Sequence, residues 1–332
     1  MDARVRRSRY GGGSQPVEGA RKRKEAGRSM FAIIGILVVL GAVIGGFLME
    51  HGPIAVLMQP SEAIIIGGAA LGTLLVANPL HTLKGVMAGV LQVLKGSKFT
   101  KKRYLAALKM MYDMFNKIRR DGPNSVENDI EAPDKSQFFK TYPEFVKDHH
   151  ARDFVCDTMR MVLMGGVEAF DVDQMMEADM DVHANSSEQS VGALSSVADS
   201  LPGLGIVAAV LGVVMTMSAL GGPPEEIGKK VAAALVGTFL GILMCYGFIG
   251  PIAANLSKLA HEEHEYLHVL RVTMIAFMKG TSPLLAVEMG RRAVPGHLRP
   301  TFAEFEKNCK QSGATAVVEA APAAAEPAAA SS

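Results

Sequence analysis

The sequence predicts an all-α polytopic membrane protein with four transmembrane helices and a helical cytoplasmic domain between spans 2 and 3. Three observations carry this. Apolar runs lie at 31–49, 63–79, 200–222 and 231–256, and a helix rising ~1.5 Å per residue needs about 20 such residues to cross a bilayer. Mean hydropathy is +0.21 and 49% of the 332 residues are hydrophobic, the balance of a membrane protein. A net charge of only +1 hides a segregation. Charges gather in the N-terminal tail, in a long central block and after Lys258, and the apolar runs are nearly free of them.

Residues 1–29 are basic, glycine-rich and unpatterned, and read as a disordered tail. Three readings stay open for it: a lipid-facing basic tail, a flexible cytoplasmic tail, or a start codon set too early, since Met30 begins the first apolar run directly. No small-residue cleavage site follows a short apolar core, so it is not a signal peptide. Residues 30–80 hold spans 1 and 2. Gly41 and Gly45 in the first, and Gly68 and Gly72 in the second, give the small-xxx-small spacing that lets a neighbouring helix approach closely. Ordinary membrane-helix glycine content explains them equally well. The loop from Glu50 to Ser61 carries no Lys or Arg, and Glu62 stands at the outer edge of span 2.

Residues 81–200 mix charges of both signs with many methionines. Tyr104–Ile118 shows apolar residues at helical spacing and predicts an amphipathic helix, broken by Gly122 and Pro123. A short helix is expected from about Lys135, and helical pattern from Ala151 through His183. Residues 201–256 are the second hairpin, joined by PPEEIGKK. It contains no Asp, Glu, Lys or Arg within its apolar runs, a few hydroxyls (Thr216, Ser218, Thr238) and two prolines. Pro202 opens the third run and Pro251 lies inside the fourth, where it removes a backbone bond and kinks the helix. Such a hairpin suits a movable wall of an ion path, or simply a packed pair with Pro202 starting a helix. Thr238 either bonds back to its own helix or faces that path. In residues 257–314, cytoplasmic C-terminal helices, His261, His264 and His268 lie roughly on one helix face. HExxH is absent because residue 265 is Glu, so this reads as a solvated face and not a metal site. Residues 315–332 are Ala/Pro low complexity and are expected to be disordered.

The basic residues of the tail, the central block and the C-terminal segment set the orientation. Lys229 and Lys230 alone oppose it, so the positive-inside rule puts both termini in the cytoplasm. Cys156, Cys245 and Cys309 are far apart and predict free thiols. No nucleophile–base pairing, P-loop, Rossmann fingerprint or credible metal cluster supports an enzyme. Nothing implies a cofactor or a nucleic-acid partner. Ion-driven membrane machines normally need an ionisable group within the bilayer, and none stands in the interior of these spans. Either the chain drives no ion, or a partner helix supplies the carboxylate.

Several stretches carry a family pattern. QPSEAIIIGGAALG (59–72), KFTKKRYLAALKMMYDMFNKIRRDGPNSVENDIEAP (98–133), DSLPGLGIVAAVLGVV, GTFLGILMCYGFIGPIA, SPLLAVEMGRRAV and RPTFAEFE occur in this order. Over about 30–312 the chain resembles the MotA family, the proton-channel stator subunits of the bacterial flagellar motor in the inner membrane. The resemblance implies a MotB-type partner that supplies the ion-carrying aspartate, and a ring of five copies around two of that partner. It implies that Pro202 and Pro251 couple ion flow to conformational change, and that Arg119 and Glu127 engage opposite charges on the rotor protein FliG. Val126 departs from the family, where many relatives have leucine. Sodium-driven relatives carry threonine at the position of Ala209, beside the threonine matched by Thr238. Alanine offers no side-chain oxygen to a dehydrated sodium ion, so H+ is the expected transported ion, ahead of Na+. The ExbB/TolQ class, typically with three spans, is the alternative. A passive membrane scaffold and a self-sufficient transporter are others, the last opposed by the lack of ionisable groups within the spans.

Overall fold

In a computed structural model of the chain, residues 17–218 and 220–309 are described, with side chains from Phe31 onward. Segments 1–16 and 310–332, which hold most of the two tails expected to be disordered, lie outside the described residues. The elements are α1 (Val17–Met49), α2 (Ile54–Leu57), α3 (Pro60–Ala77), α4 (Leu80–Lys95), α5 (Lys101–Asp121), a 3-10 turn (Pro123–Val126), α6 (Glu127–Glu131), α7 (Gln137–Lys140), α8 (Pro143–Val146), α9 (His149–Met164), α10 (Ala169–Met217), α11 (Pro224–Leu243), a π-helical turn (Met244–Ile249), α12 (Gly250–Met278) and α13 (Pro283–Ala293). No strand occurs among the described residues. Among the described residues, four helical stretches are long and apolar enough to cross a membrane: Phe31–Met49, Ile54–Ala77, and windows within Ala169–Met217 and Pro224–Met278.

The chain forms two compact units: Met1–Ser97 with Ser190–Leu256, and Lys98–Gln189 with Ser257–Ser332. We call them the membrane unit and the polar unit. Their boundaries differ from those read in the sequence. Residues 81–97 belong to the membrane unit, because α4 buries Thr82, Val86, Gly89 and Val93 within it. Gly96, at φ 83°, then turns the chain out of α4. At the N-terminus the helix begins at Val17, inside the segment read as disordered. VEGARKRKEAGRS is rich in Ala, Glu, Lys and Arg, good helix formers that extend an existing helix at little cost.

Two helix boundaries also differ. The pattern read from Ala151 through His183 is interrupted after Met164, where Gly165 and Gly166 adopt φ of 76° and 78° and end α9 in the left-handed region that favours glycine. Pro202 starts no helix. It lies inside the 49-residue α10, two residues after Ser200, whose hydroxyl donates to the Val197 carbonyl at 2.7 Å.

The polar unit is held by a methionine- and aromatic-rich core. Thr100 caps α5 by accepting from the Arg103 amide. One stripe of α5 (Tyr104, Leu108, Met111, Met114, Phe115) is buried. The Phe115 ring stacks on Phe277 with centroids 4.0 Å apart, and Tyr266 packs against Phe99 and Tyr104 at 5.2 and 5.3 Å. Asp148 accepts from Arg103, and Lys98 donates to both Asp148 (3.4 Å) and Glu263 (3.1 Å). In the histidine-rich segment Tyr266, Leu267, Val269 and Leu270 enter this core, while His261 and His268 stay exposed. Among the described residues no three His, Cys, Asp or Glu side chains converge as metal ligands. The three cysteines are unpaired and buried. Burial pushes the Cys156 and Cys309 thiols up to about 12, so both stay protonated near neutrality.

Candidate functional site

Small residues set the geometry of the membrane unit. A Cβ added to Gly241 would stand 2.5 Å from the Leu201 carbonyl oxygen and 2.9 Å from Gly205 Cα. One added to Gly205 would meet Gly237 O at 2.9 Å and Thr238 Cα at 3.3 Å. One added to Gly212 would lie 2.7 Å from Ala234 Cβ. Helices α10 and α11 therefore touch backbone to backbone along more than two turns, a contact only glycine and alanine permit. These are not the glycines of the small-xxx-small pairs in spans 1 and 2. Gly41, Gly45, Gly68 and Gly72 all face open space within the chain.

Ala209 and Thr238 both border this seam, Ala209 opposite Gly237 and Thr238 opposite Gly205. A Cβ on Gly237, next to Thr238, would sit 3.2 Å from the Ala209 amide nitrogen and 3.1 Å from Ala208 Cβ. The Thr216 hydroxyl bonds back to Gly212 O at 2.8 Å, and Ser218 to Met215 O at 2.7 Å. Thr238, half-buried, makes no such bond among the described residues and keeps its hydroxyl available. Pro202 sits at one end of the seam, since Leu201 supplies the carbonyl that packs on Gly241.

Pro251 is set apart. It follows the π-helical turn Met244–Ile249, and Gly250 leaves the Cys245 carbonyl room, 2.8 Å from where a Cβ would stand. A π turn before a proline is a place where the backbone ladder is already loosened. Pro251 lines a groove of about 260 Å³ together with Phe31, Ile36, Val39, Tyr246 and Asn255.

Arg119 and Glu127 lie in the polar unit, and both are exposed. Gly122, at φ 89°, ends α5, and its amide donates to Ile118 O at 2.9 Å. The 3-10 turn then leads into α6. Asp129 pins α6 by accepting from Lys117 at 2.6 Å and from Ser136 at 2.6 Å. Ile130 is buried below it. Two charges of opposite sign thus stand on a short, braced surface. The neighbouring Arg120 is occupied by Asp121, its Nη2 at 2.8 Å.

One further residue enters the membrane seam. Glu62, in the first turn of α3, is 5% exposed. Its Oε2 would lie 2.7 Å from a Cβ on Gly237 and has no hydrogen-bond partner. The signal was the spacing in QPSE: Pro60 starts the helix, which puts the acid inside its first turn and not in the loop before it.

The sequence matches "Motility protein A N-terminal" over residues 33–122 and "MotA/TolQ/ExbB proton channel family" over residues 146–268. It is 37% identical over 281 residues to Motility protein A of Salmonella typhimurium, covering 85% of this chain and 95% of the relative. To Motility protein A of Escherichia coli K12 it is 38% identical over the same length. The fold is similar to that of a chain in the structure of C. jejuni MotAB, with a TM-score of 0.66 at 17% identity, covering 80% of this chain and 95% of that one. It is also similar to the flagellar MotAB stator complex from Bacillus subtilis, with a TM-score of 0.64 at 20% identity, covering 81% and 97%.

Proposed function

The chain belongs to the MotA family of motility proteins, and from that premise we propose how its residues divide the work of a stator. As a member it is a multi-pass inner-membrane stator subunit of the bacterial flagellar motor. With a MotB-type partner it forms a proton channel that converts ion flow into torque. The observation that carries the division of labour is the α10–α11 seam, which Ala209 borders opposite Gly237 and Thr238 borders opposite Gly205, with no charged residue within either apolar run.

In this reading the seam forms the chain's share of the ion path, and the partner brings an aspartate to it. Protons are the coupling ion, because the seam offers the Thr238 hydroxyl but no second side-chain oxygen at Ala209. Swimming speed should be independent of sodium concentration at fixed pH, and a steep sodium dependence would overturn proton coupling. Pro202, at the end of the seam, and Pro251, behind the π turn, let α10 and α12 change bend as ions pass. One charge crossing a 100 mV potential releases ~2.3 kcal/mol, enough to bias a small step between two backbone arrangements. The polar unit and both termini lie in the cytoplasm, and five copies surround two of the partner.

Arg119 and Glu127 contact opposite charges on the rotor protein FliG. An exposed ion pair contributes ~0–1 kcal/mol, so losing one charge should weaken torque only mildly. Arg119→Glu should lower stall torque clearly further than Arg119→Ala, and a compensating reversal on the rotor should restore it. Both variants rotating like wild type would remove Arg119 from the rotor contact. Deletion of the gene, with flagella counted by electron microscopy, tests the stator role itself: normal filaments that do not rotate are expected.

A further inference from the structure

The polar atom that the function above leaves unused is the Glu62 carboxyl. The chain buries this acid to 5% exposure, and it forms no ion pair among the described residues. Its Oε2 has no donor. An ionised carboxylate in an apolar setting without donors is strongly disfavoured, so such a group takes a proton or is paired. A carboxylate in the first turn of α3 is favoured by the helix dipole, but that gain is small beside the cost of burying it unpaired. Glutamine or leucine would fill the same first turn without that cost, and the neighbouring positions Ala63, Ile65 and Ile66 are apolar.

Its surroundings say where a proton would go. Gly237, with no side chain, makes the room that Oε2 occupies against α11, and the same glycine touches Ala208 and Ala209 of α10. The carboxyl therefore reaches the seam on which the ion-path reading rests, at the residue next to Thr238. Helix α3 delivers it from its N-terminal turn, preceded by a loop without Lys or Arg.

We propose that Glu62 is a proton-binding residue of the ion path, contributed by this chain in addition to the partner's acid. The inference rests on the stator reading. The step is proton exchange alone: a hydronium ion on one side of the seam breaks one O–H bond and gives its proton to the carboxylate, forming the carboxyl O–H bond and leaving water. That O–H bond then breaks as the proton passes to the next base on the path, a water or the partner's carboxylate, which restores the Glu62 carboxylate. No electron pair leaves the chain and no co-reactant is needed.

Single-motor rotation in cells carrying the full stator complex tests this. Speed at low load follows the rate of proton transit, whereas stall torque follows the energy delivered per proton. Glu62→Gln should lower low-load speed by roughly ten-fold or more, the scale of losing a positioned proton-transfer group. Stall torque per stator unit should stay near wild type, and Glu62→Asp should recover part of the speed. A residue that only packs α3 would lower torque and stator number together and leave the low-load speed of each assembled unit unchanged, which would overturn the proposal. If Glu62→Gln fails to assemble, the wild-type complex still decides. Dicyclohexylcarbodiimide, which attacks buried protonated carboxyls, should modify Glu62 in intact membranes, as read by peptide mass spectrometry. No modification there, with the complex intact, would also overturn it. The stator reading fails by a different result, rotation that persists after deletion of the gene, so the two failures are distinguishable.

Discussion

Gly241→Ala should abolish swimming while the protein remains in the membrane at its normal level. The added methyl would lie 2.5 Å from the Leu201 carbonyl oxygen and 3.1 Å from the Gly205 amide nitrogen. Both are backbone atoms, so no side chain can swing aside, and α10 would have to move as a body. Overpacking of this kind costs ~1–3 kcal/mol where the surroundings can yield, and a helix backbone yields least. Displacing α10 also pulls Ala209 away from Gly237. The loss should therefore appear as intact, unproductive stators: membrane-localised protein by immunoblot, no expansion in soft agar, paralysed filaments. Gly203→Ala is the comparison. A Cβ there meets nothing within 4 Å in the chain, so wild-type swimming is expected. Full motility of Gly241→Ala would show that the α10–α11 contact is looser than its backbone spacing indicates.

Phe115→Ala should unfold the polar unit. The side chain is 0% exposed, stacks on Phe277 with centroids 4.0 Å apart and rings 2° from parallel, and lies among Met111, Met114 and the other buried residues of α5. Removing a buried phenylalanine costs ~3–5 kcal/mol, a large share of the ~5–15 kcal/mol that holds a typical domain together. Limited proteolysis of membranes should cut this unit at concentrations that leave wild type whole, and motility should fall with the amount of surviving protein. Phe302→Ala, at a side chain 51% exposed, should change stability by no more than ~0.5 kcal/mol. Equal protease resistance of the Phe115 and Phe302 variants would mean that the flexible methionines of this core fill the cavity.

Much of this molecule was legible one segment at a time. Hydropathy and length mark the spans because both are sums over neighbours in the chain. The α5 stripe was visible as apolar spacing from Tyr104 to Ile118, and the breaks at Gly122 and Pro123 follow from local backbone preference. Arg119 and Glu127 could be singled out only through family resemblance, since an isolated charge on a helix face carries no signal of its own. The errors have local causes as well. Pro202 reads as a helix start because proline is favoured in a first turn, yet the helix continues through it with apolar neighbours on both sides. The charges after His81 suggested a domain boundary there, but α4 buries one face in the membrane unit, so the boundary falls at Lys98.

The class of the protein is readable from the amino-acid order without coordinates: four apolar helices, charge confined outside them, and a family whose motifs run in order along the chain. Tertiary structure alone decided which glycines matter. Gly205, Gly237 and Gly241 are indistinguishable in composition from Gly41, Gly45, Gly68 and Gly72, but only the first three bring two backbones into contact. It also decided the standing of Glu62, which changes from an acid at the edge of a span to a buried carboxyl facing α11. The physical reason is the same in both cases. Helix formation and hydropathy depend on residues adjacent in the chain, whereas burial and close approach depend on what lies across the interface, more than a hundred positions away in sequence for Glu62 and Gly237.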